Sequence, residues 1–466
     1  MRPWQLDLPT IPNPGVESGP APVRSETESR IAHLYRRAGF GLSPEEVRTA
    51  AAKGIEACTE ELLHPEKVAD PLSETLASLE GDLFDLTRIE DAQGWWLYRM
   101  LRTRRPLEEK MTLFWHGHFA TAFPKVEDVT LLVRQNETLR EKSLGKFGDL
   151  LLAISRDPAM LLWLDNARST KRNPNENYGR ELLELFTLGI GNYGEKDVRA
   201  AARAFTGWKL REGEFVFDPK DHDDGAKTFL GETWAWTGEE ILGELARHEA
   251  TAKRLASRLV QFFVADEGME PLETEVERRY LETGGDIRET VAAILRSPHF
   301  YSERAIRSRV KSPVEFVVGA IRELGAEVPL RFLPGPLARM GQALFQPPTV
   351  KGWDGGIAWI NSATLFERAN LANVIVTQRS RRPDGRFEPS KWVAKDADGP
   401  AVVGIFLDAL LDGRASPETR STLEGYLVGK DDKGNPVPFR PNGRGLDEKV
   451  RGLVRLVLSC PEYQLA

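Results

Sequence analysis

The sequence predicts a mainly α-helical protein, one large multi-helical domain with a small β-hairpin element near its middle. Three observations carry that prediction. Helix-start signatures recur along the chain, apolar residues between them are spaced three and four apart, and a single stretch alternates aromatics instead. The clearest start is Ser43-Pro44-Glu45-Glu46-Val47, with Ser at the N-cap, Pro at the first helical position and Glu in the first turn; Gly54 closes that helix. Asp91 to Thr103 places Trp95, Leu97 and Leu101, or Trp96, Met100 and Leu101, on one face. Pro106 opens LEEKMTLFWHGHF, a helix that Gly117 is expected to weaken or end. Leu144 to Ile154 and Asp157 to Leu164 are apolar enough for core helices, and His248 to Val264 returns to helical spacing.

Glu214 to Trp236 (EFVFDPKDHDDGAKTFLGETWAW) departs from this pattern, with alternating aromatics on either side of an Asp-rich turn. It reads as a hairpin or loop insertion. Residues 1 to 24 hold Pro3, Pro9, Pro12, Pro14 and Pro20 and are expected to form an extended arm. Residues 25–466 are expected to fold as one domain. The loop-rich tracts Gly325–Gly335 and Arg381–Pro400 are too short and too complex to separate independent units. LRSPHFY (295–301) and LSCPEYQ (458–464) echo each other, but two heptamers do not make a repeat.

Composition removes several function classes. The chain has 466 residues, 63 Lys or Arg against 70 Asp or Glu, and a formal charge of −7. A nucleic-acid binder normally shows the opposite balance. Two cysteines, Cys58 and Cys460, cannot build a disulfide framework or a thiolate zinc site. No apolar run approaches the roughly 20 residues that span a bilayer. The first residues lack the apolar segment of a secretory leader, so the expected location is the cytoplasm. No GxxxxGK[ST], GxGxxG, GxSxG or HExxH occurs, so the phosphate-loop, dinucleotide, hydrolase-elbow and zincin readings lose their motifs.

Two clusters carry the chemistry. Of seven histidines, two lie in Phe114-Trp115-His116-Gly117-His118-Phe119. Residues two apart on a helix point about 200° apart. A break at Gly117 would let His116 and His118 converge on one ion, and the flanking aromatics would shift their affinity for protons. The alternative is a pair of histidines bonded to carbonyls inside an aromatic core. The second cluster runs from Asn173 to Gly189 (NPNENYGRELLELFTLG), with Asn173 read as N-cap, Pro174 as first position and Gly189 as terminator. At 100° per residue, Asn177, Glu181 and Glu184 share one stripe, and Arg180 is four residues from Glu184. Paired carboxylates on one face suit metal ligation or general acid–base work; a solvated face with a salt bridge is the alternative.

Asp218 to Lys227 resembles a calcium loop only superficially. With Gly225 at loop position six, positions one and twelve are Lys220 and Gly231, neither acidic. A turn that binds a divalent ion with His222 is one reading, and a turn whose Asp side chains satisfy their own amides is the other. The basic run Arg304, Arg307, Arg309 and Lys311 reads as a solvated helix end or as a seat for an anionic ligand.

At these residues the chain resembles the bacterial domain-of-unknown-function 1800 family. The matching blocks are HLYRRAGFGLSPEEV (33–47), MTLFWHGHFAT (111–121), NPNENYGRELLELFTLGIGNY (173–193), ARAFTGW (202–208), HEATAKRLASRLVQFFV (248–264), RVKSPVEFVVGAIRELG (309–325) and MGQALFQPPTVKGWDGGIAWINSATLFERANLAN (340–373). The family block usually has Asn between the paired histidines, where this chain has Gly117. The resemblance implies a largely helical fold and no established reaction. It also implies a partner, because relatives are often encoded beside domain-of-unknown-function 1501 proteins, which look like alkaline phosphatases and sulfatases; many relatives look exported.

The leading expectation is an enzyme, a metal-dependent hydrolase. Asn177, Arg180, Glu181 and Glu184 would be its catalytic residues, and His116, His118 and His222 would hold a divalent metal ion. Hydrolysis is expected because no redox-cofactor motif is present. A non-catalytic helical scaffold or binding partner is the rival. A carbohydrate-binding protein that stacks sugars on Trp234, Trp236, Trp353, Trp359 and Trp392 is the third reading.

Overall fold

A computed structural model describes residues 24–81, 83–378, 387–430, 433, 435–441 and 443–466. The expected arm lies outside them except for Arg24, and so does part of the Arg381–Pro400 tract. Helices dominate the described residues, and the strands form only short antiparallel pairs. The protein is mainly α, and its local sequence explains where many helices begin. Ser25, Ser43, Thr237 and Ser312 each accept from the amide three residues on, while the Glu at that position bonds back, so a capping box starts four helices. Gly54, at φ 89°, ends the helix Pro44–Lys53.

Two buried apolar clusters form the interior. One gathers the N-terminal helices with Phe147–Ser155, Glu195–Ala204 and Glu249–Phe263. The other gathers Ile89–Arg102, Pro313–Leu324, Ser362–Thr377 and the C-terminal helices. The helix Pro106–His118 contributes to both: Met111, Phe114 and Trp115 belong to the first cluster and Leu113 to the second. A helix buried on nearly every side presents successive residues to different cores, and this decides where the two histidines point.

Several local expectations change. The helix Pro106–His118 runs unbroken through Gly117. The loop before Trp353 rests directly on this turn: a Cβ on Gly352 would lie 2.3 Å from the Gly117 carbonyl oxygen, so the close approach needs the glycine at 352. The predicted 144–154 helix starts at Phe147, because Gly145 and Phe147 exchange backbone hydrogen bonds with Ile287 and Gly285. Between 208 and 234 there are two hairpins, Trp208–Arg211 with Glu214–Phe217 and Lys227–Phe229 with Glu232–Trp234. The Asp-rich segment is the connector between them rather than a hairpin turn. Three of its four acids are already partnered: Asp218 with Arg211, Asp221 with Lys209 and Asp223 with Arg203.

Of the basic run only Arg304 is exposed. Arg307, Arg309 and Lys311 are buried. Arg307 pairs with Asp412 and Arg309 with Glu315, while the Lys311 ammonium sits 3.4 Å from the centre of the Tyr463 ring. Two of these partners, Asp412 and Tyr463, come from far along the chain, which local sequence does not reveal. No described helix is long and apolar enough to cross a membrane.

Candidate functional site

The continuous helix sends its two histidines apart. His116 faces Trp96, Phe345 and Trp353, and its Nε2 accepts the Phe345 backbone N–H at 3.1 Å. His118 faces Phe119, Phe147 and Phe186. Its Nε2 donates to the Phe186 carbonyl at 3.0 Å and its Nδ1 accepts from Arg258 Nη1 at 2.8 Å. Each acceptor fixes a tautomer, so both rings are neutral and the lone pair a metal ion would take already holds an N–H. Burial lowers the His116 pKa to about 3. Burial also lowers that of His118, with Arg258 acting in the same direction. His222 is elsewhere, on the hairpin connector, where Nδ1 donates to the Thr206 carbonyl at 2.9 Å. Among the described residues no group of three or more His, Cys, Asp or Glu gathers in a metal-holding arrangement.

The second cluster does form a structured site. Asn175, not Asn173, caps the helix Glu176–Glu181, accepting from the Asn177 amide. The chain then widens into a π-turn over Leu182–Phe186, with Leu182, Leu183 and Phe186 buried. Such turns occur often at functional sites. Bonding from i to i+5 advances each residue through a smaller angle than an α-helix does, so the spacing-four partner of Arg180 is displaced. Arg180 accordingly pairs with Glu195 at 2.7 and 2.9 Å and approaches Glu176, rather than bonding Glu184. Asn177 Nδ2 donates to the Leu164 carbonyl at 3.3 Å.

Glu181 and Glu184 remain neighbours, both half-buried, in unlike surroundings. Burial raises the Glu181 pKa above its ordinary value and the Glu184 charge raises it further, against the pull of Arg180. Glu184 accepts the Tyr193 hydroxyl at 2.8 Å. The π-turn ends with its carbonyls taken by side chains, two from other helices and one from its own cap residue. Arg254 Nε donates to Leu185 O at 3.1 Å, His118 to Phe186 O, and Thr187 Oγ1 to Leu182 O at 2.6 Å. Gly189, at φ 81°, closes the turn by donating to Leu183 O. The site therefore comprises the carboxylate pair, Tyr193, Arg254, and Arg258 held by His118.

The model of the family described as "Protein of unknown function (DUF1800)" matches residues 33–465, nearly the whole chain. The chain belongs to the DUF1800 family. No curated protein and no solved structure matches it. The matched range of this DUF1800 protein takes in the histidine helix, the π-turn and the arginine helix.

Arg254 and Arg258 are the residues that sequence reading passed over in this DUF1800 protein. Their signal was present: two arginines four apart in HEATAKRLASRLVQFF, with Ala250 and Phe262, not acids, at the next spacing-four positions. The five tryptophans do not line one surface. Trp234 is exposed, Trp353 lies beside His116, Trp359 is buried and Trp392 stacks on Phe406.

Proposed function

We propose that this DUF1800 protein is an enzyme, a hydrolase in which Glu181 and Glu184 divide acid and base roles. The observation that supports this is the unequal setting of two adjacent carboxylates on a π-turn. Glu184 is held by the Tyr193 hydroxyl, whereas burial and the neighbouring charge favour a proton on Glu181. Pairs of carboxylates pushed apart in this way are how one site runs acid and base chemistry together. Glu184 serves as the base that activates water, and Glu181 supplies the proton to the leaving group. Asn177 and Arg180 position the helix before the turn through Leu164 and Glu195. No step passes through a metal, because His116, His118 and His222 do not share a site.

The test is a panel of chromogenic esters, phosphates and glycosides with wild type, Glu181→Gln and Glu184→Gln. Each variant should lose about 10²- to 10⁴-fold in rate, the usual weight of a general acid or base. Glu181→Gln should also melt higher than wild type, since it removes a half-buried ionisable group kept for chemistry. Unchanged hydrolysis together with a lower melting temperature would return both glutamates to a structural role.

A second reading, a binding partner for an alkaline-phosphatase- or sulfatase-like protein, is favoured by one observation. Ile190 is 81% exposed and Ile357 77%, each next to a glycine that packs on a side chain, Arg254 within the arginine helix and Asp266 just after it. Co-purification with the neighbouring gene product that Ile190→Asp and Ile357→Asp abolish would support it, and unaffected co-purification would not.

A further inference from the structure

The carboxylate pair is overlooked by two cations with unusual partners. Arg254 and Arg258 lie one turn apart on the helix Glu249–Phe263, both half-buried, both facing the end of the π-turn. Buried or half-buried cations are normally paired with acids. Several in this fold are: Arg140 with Glu109, Arg309 with Glu315, and Arg36 and Arg307 with Asp412. Arg37, Arg322 and Arg368 instead each spread two or more bonds over carbonyl oxygens. Neither Arg254 nor Arg258 has a carboxylate within 4.0 Å among the described residues. Arg254 uses Nε on the Leu185 carbonyl and Arg258 uses Nη1 on His118. A guanidinium carries five N–H donors, so most of each fork remains unbonded within the described structure.

The forks are also held in place. His118 is fixed by Phe186 O on its far nitrogen, and the Phe114 ring lies 5.9 Å from the Arg258 guanidinium. Gly189 makes room for Arg254: a Cβ there would lie 3.1 Å from Nη1. Two mutually repelling, positioned cations next to a reaction centre match the planar, bidentate recognition of an oxyanion.

We infer that Arg254 and Arg258 form a subsite for a compact oxyanion, a phosphate or carboxylate group on the substrate of this site, with His118 as the residue that positions Arg258. The subsite rests on the acid–base reading for its place in catalysis, but its anion binding stands apart from that reading. The burial that lowers the Arg258 pKa to about 10 leaves it charged at neutral pH, and Arg254 contributes to that lowering. A bound oxyanion relieves both effects. Glu184 influences Arg254 through its charge and so opposes an incoming anion.

Titration calorimetry with inorganic phosphate and with acetate, against chloride at equal ionic strength, tests the assignment. Wild type should bind phosphate, acetate or both, and Arg254→Gln and Arg258→Gln should weaken that binding about tenfold or more. Arg278→Gln, on the exposed face of the neighbouring helix Glu270–Glu282, should leave it unchanged, and Glu184→Gln should strengthen it severalfold. Circular dichroism melts check folding, and Arg258→Lys, which keeps the charge but not the fork, should fall between wild type and Arg258→Gln. Binding by both anions through these arginines assigns oxyanions in general; binding by one assigns that group. No binding above chloride, or binding that the arginine variants retain, overturns the subsite. Loss of phosphate binding in Arg254→Gln alongside unaltered hydrolysis in Glu181→Gln would leave the subsite standing and remove the acid–base reading.

Discussion

Phe345 donates its backbone N–H to His116 Nε2 at 3.1 Å from a left-handed backbone position, φ 61°. Non-glycine residues rarely occupy that region, and a hydrogen bond into a buried ring is one way to hold them there. The Phe345 ring packs in turn on Trp96 and His116. His116→Ala therefore removes an acceptor from a buried N–H and opens a cavity among aromatics. The expected loss is roughly 2–5 kcal/mol by urea denaturation. A loss below about 0.5 kcal/mol would show that Phe345 keeps its conformation without the histidine.

The same burial makes the fold sensitive to acid. His33, His116 and His118 all have pKa values lowered by burial, His116 to about 3. In the unfolded chain each titrates near 6.5. Below that value the unfolded state takes up protons that the folded state refuses, so this stability is fully present above about pH 6.5 and is lost as pH falls. For His116 the window closes near pH 3. The slope is about 1.4 kcal/mol per pH unit for each histidine. Urea midpoints measured across this range should fall with pH, and His116→Gln should remove one proton's share of the slope. An identical slope in the variant would mean that His116 titrates normally in the folded protein.

Helix starts were legible in the sequence because capping is local: Ser43, Pro44 and Glu46 make their bonds within one turn. The stop at Gly189 was legible for the same reason. The π-turn was not, since a wheel drawn at 100° per residue presupposes the α-helix, and it paired Arg180 with Glu184 where Glu195 is the partner. Gly117 misled because tertiary packing overrides a single glycine's weak helix propensity: the helix around it is buried on nearly every side. His116 and His118 were recognisable as buried and aromatic-lined, but their directions depend on two cores meeting at one helix. Arg254 and Arg258 stand out only when it is known that each fork makes a single bond and meets no acid, and that is a property of the folded chain.

Gly189 links backbone geometry to the candidate subsite. It adopts φ 81°, and an added Cβ would lie 3.1 Å from Arg254 Nη1. Gly189→Ala should cost about 1–2 kcal/mol from the left-handed conformation. It should also displace the Arg254 guanidinium and weaken phosphate binding without removing a charge. Thermal melts and phosphate titration of the same preparation separate the two effects. Reduced stability with wild-type phosphate affinity would show that Arg254 accommodates the methyl group by moving away from the anion-binding position without consequence.

Asp412 is the acid on which three cations from distant segments meet: Arg24, Arg36 and Arg307. Burial alone would raise its pKa, but the three guanidinium charges outweigh it and hold the carboxyl well below the ordinary Asp value. It is itself left-handed, φ 55°, which Asn also tolerates, so Asp412→Asn tests charge with the backbone conserved. Removing the anion leaves Arg36 and Arg307 buried without their counter-charge, and the expected cost is about 3–5 kcal/mol. The pH dependence has a definite sign. A depressed carboxyl contributes stability that is present above the unfolded value near 3.9 and disappears as pH falls below it. Wild type should therefore lose stability between about pH 4 and pH 2 by an amount that Asp412→Asn does not show. Chemical denaturation of both proteins through this range checks it, and parallel curves would mean that Arg24 and Arg307 are held by their carbonyl partners rather than by Asp412.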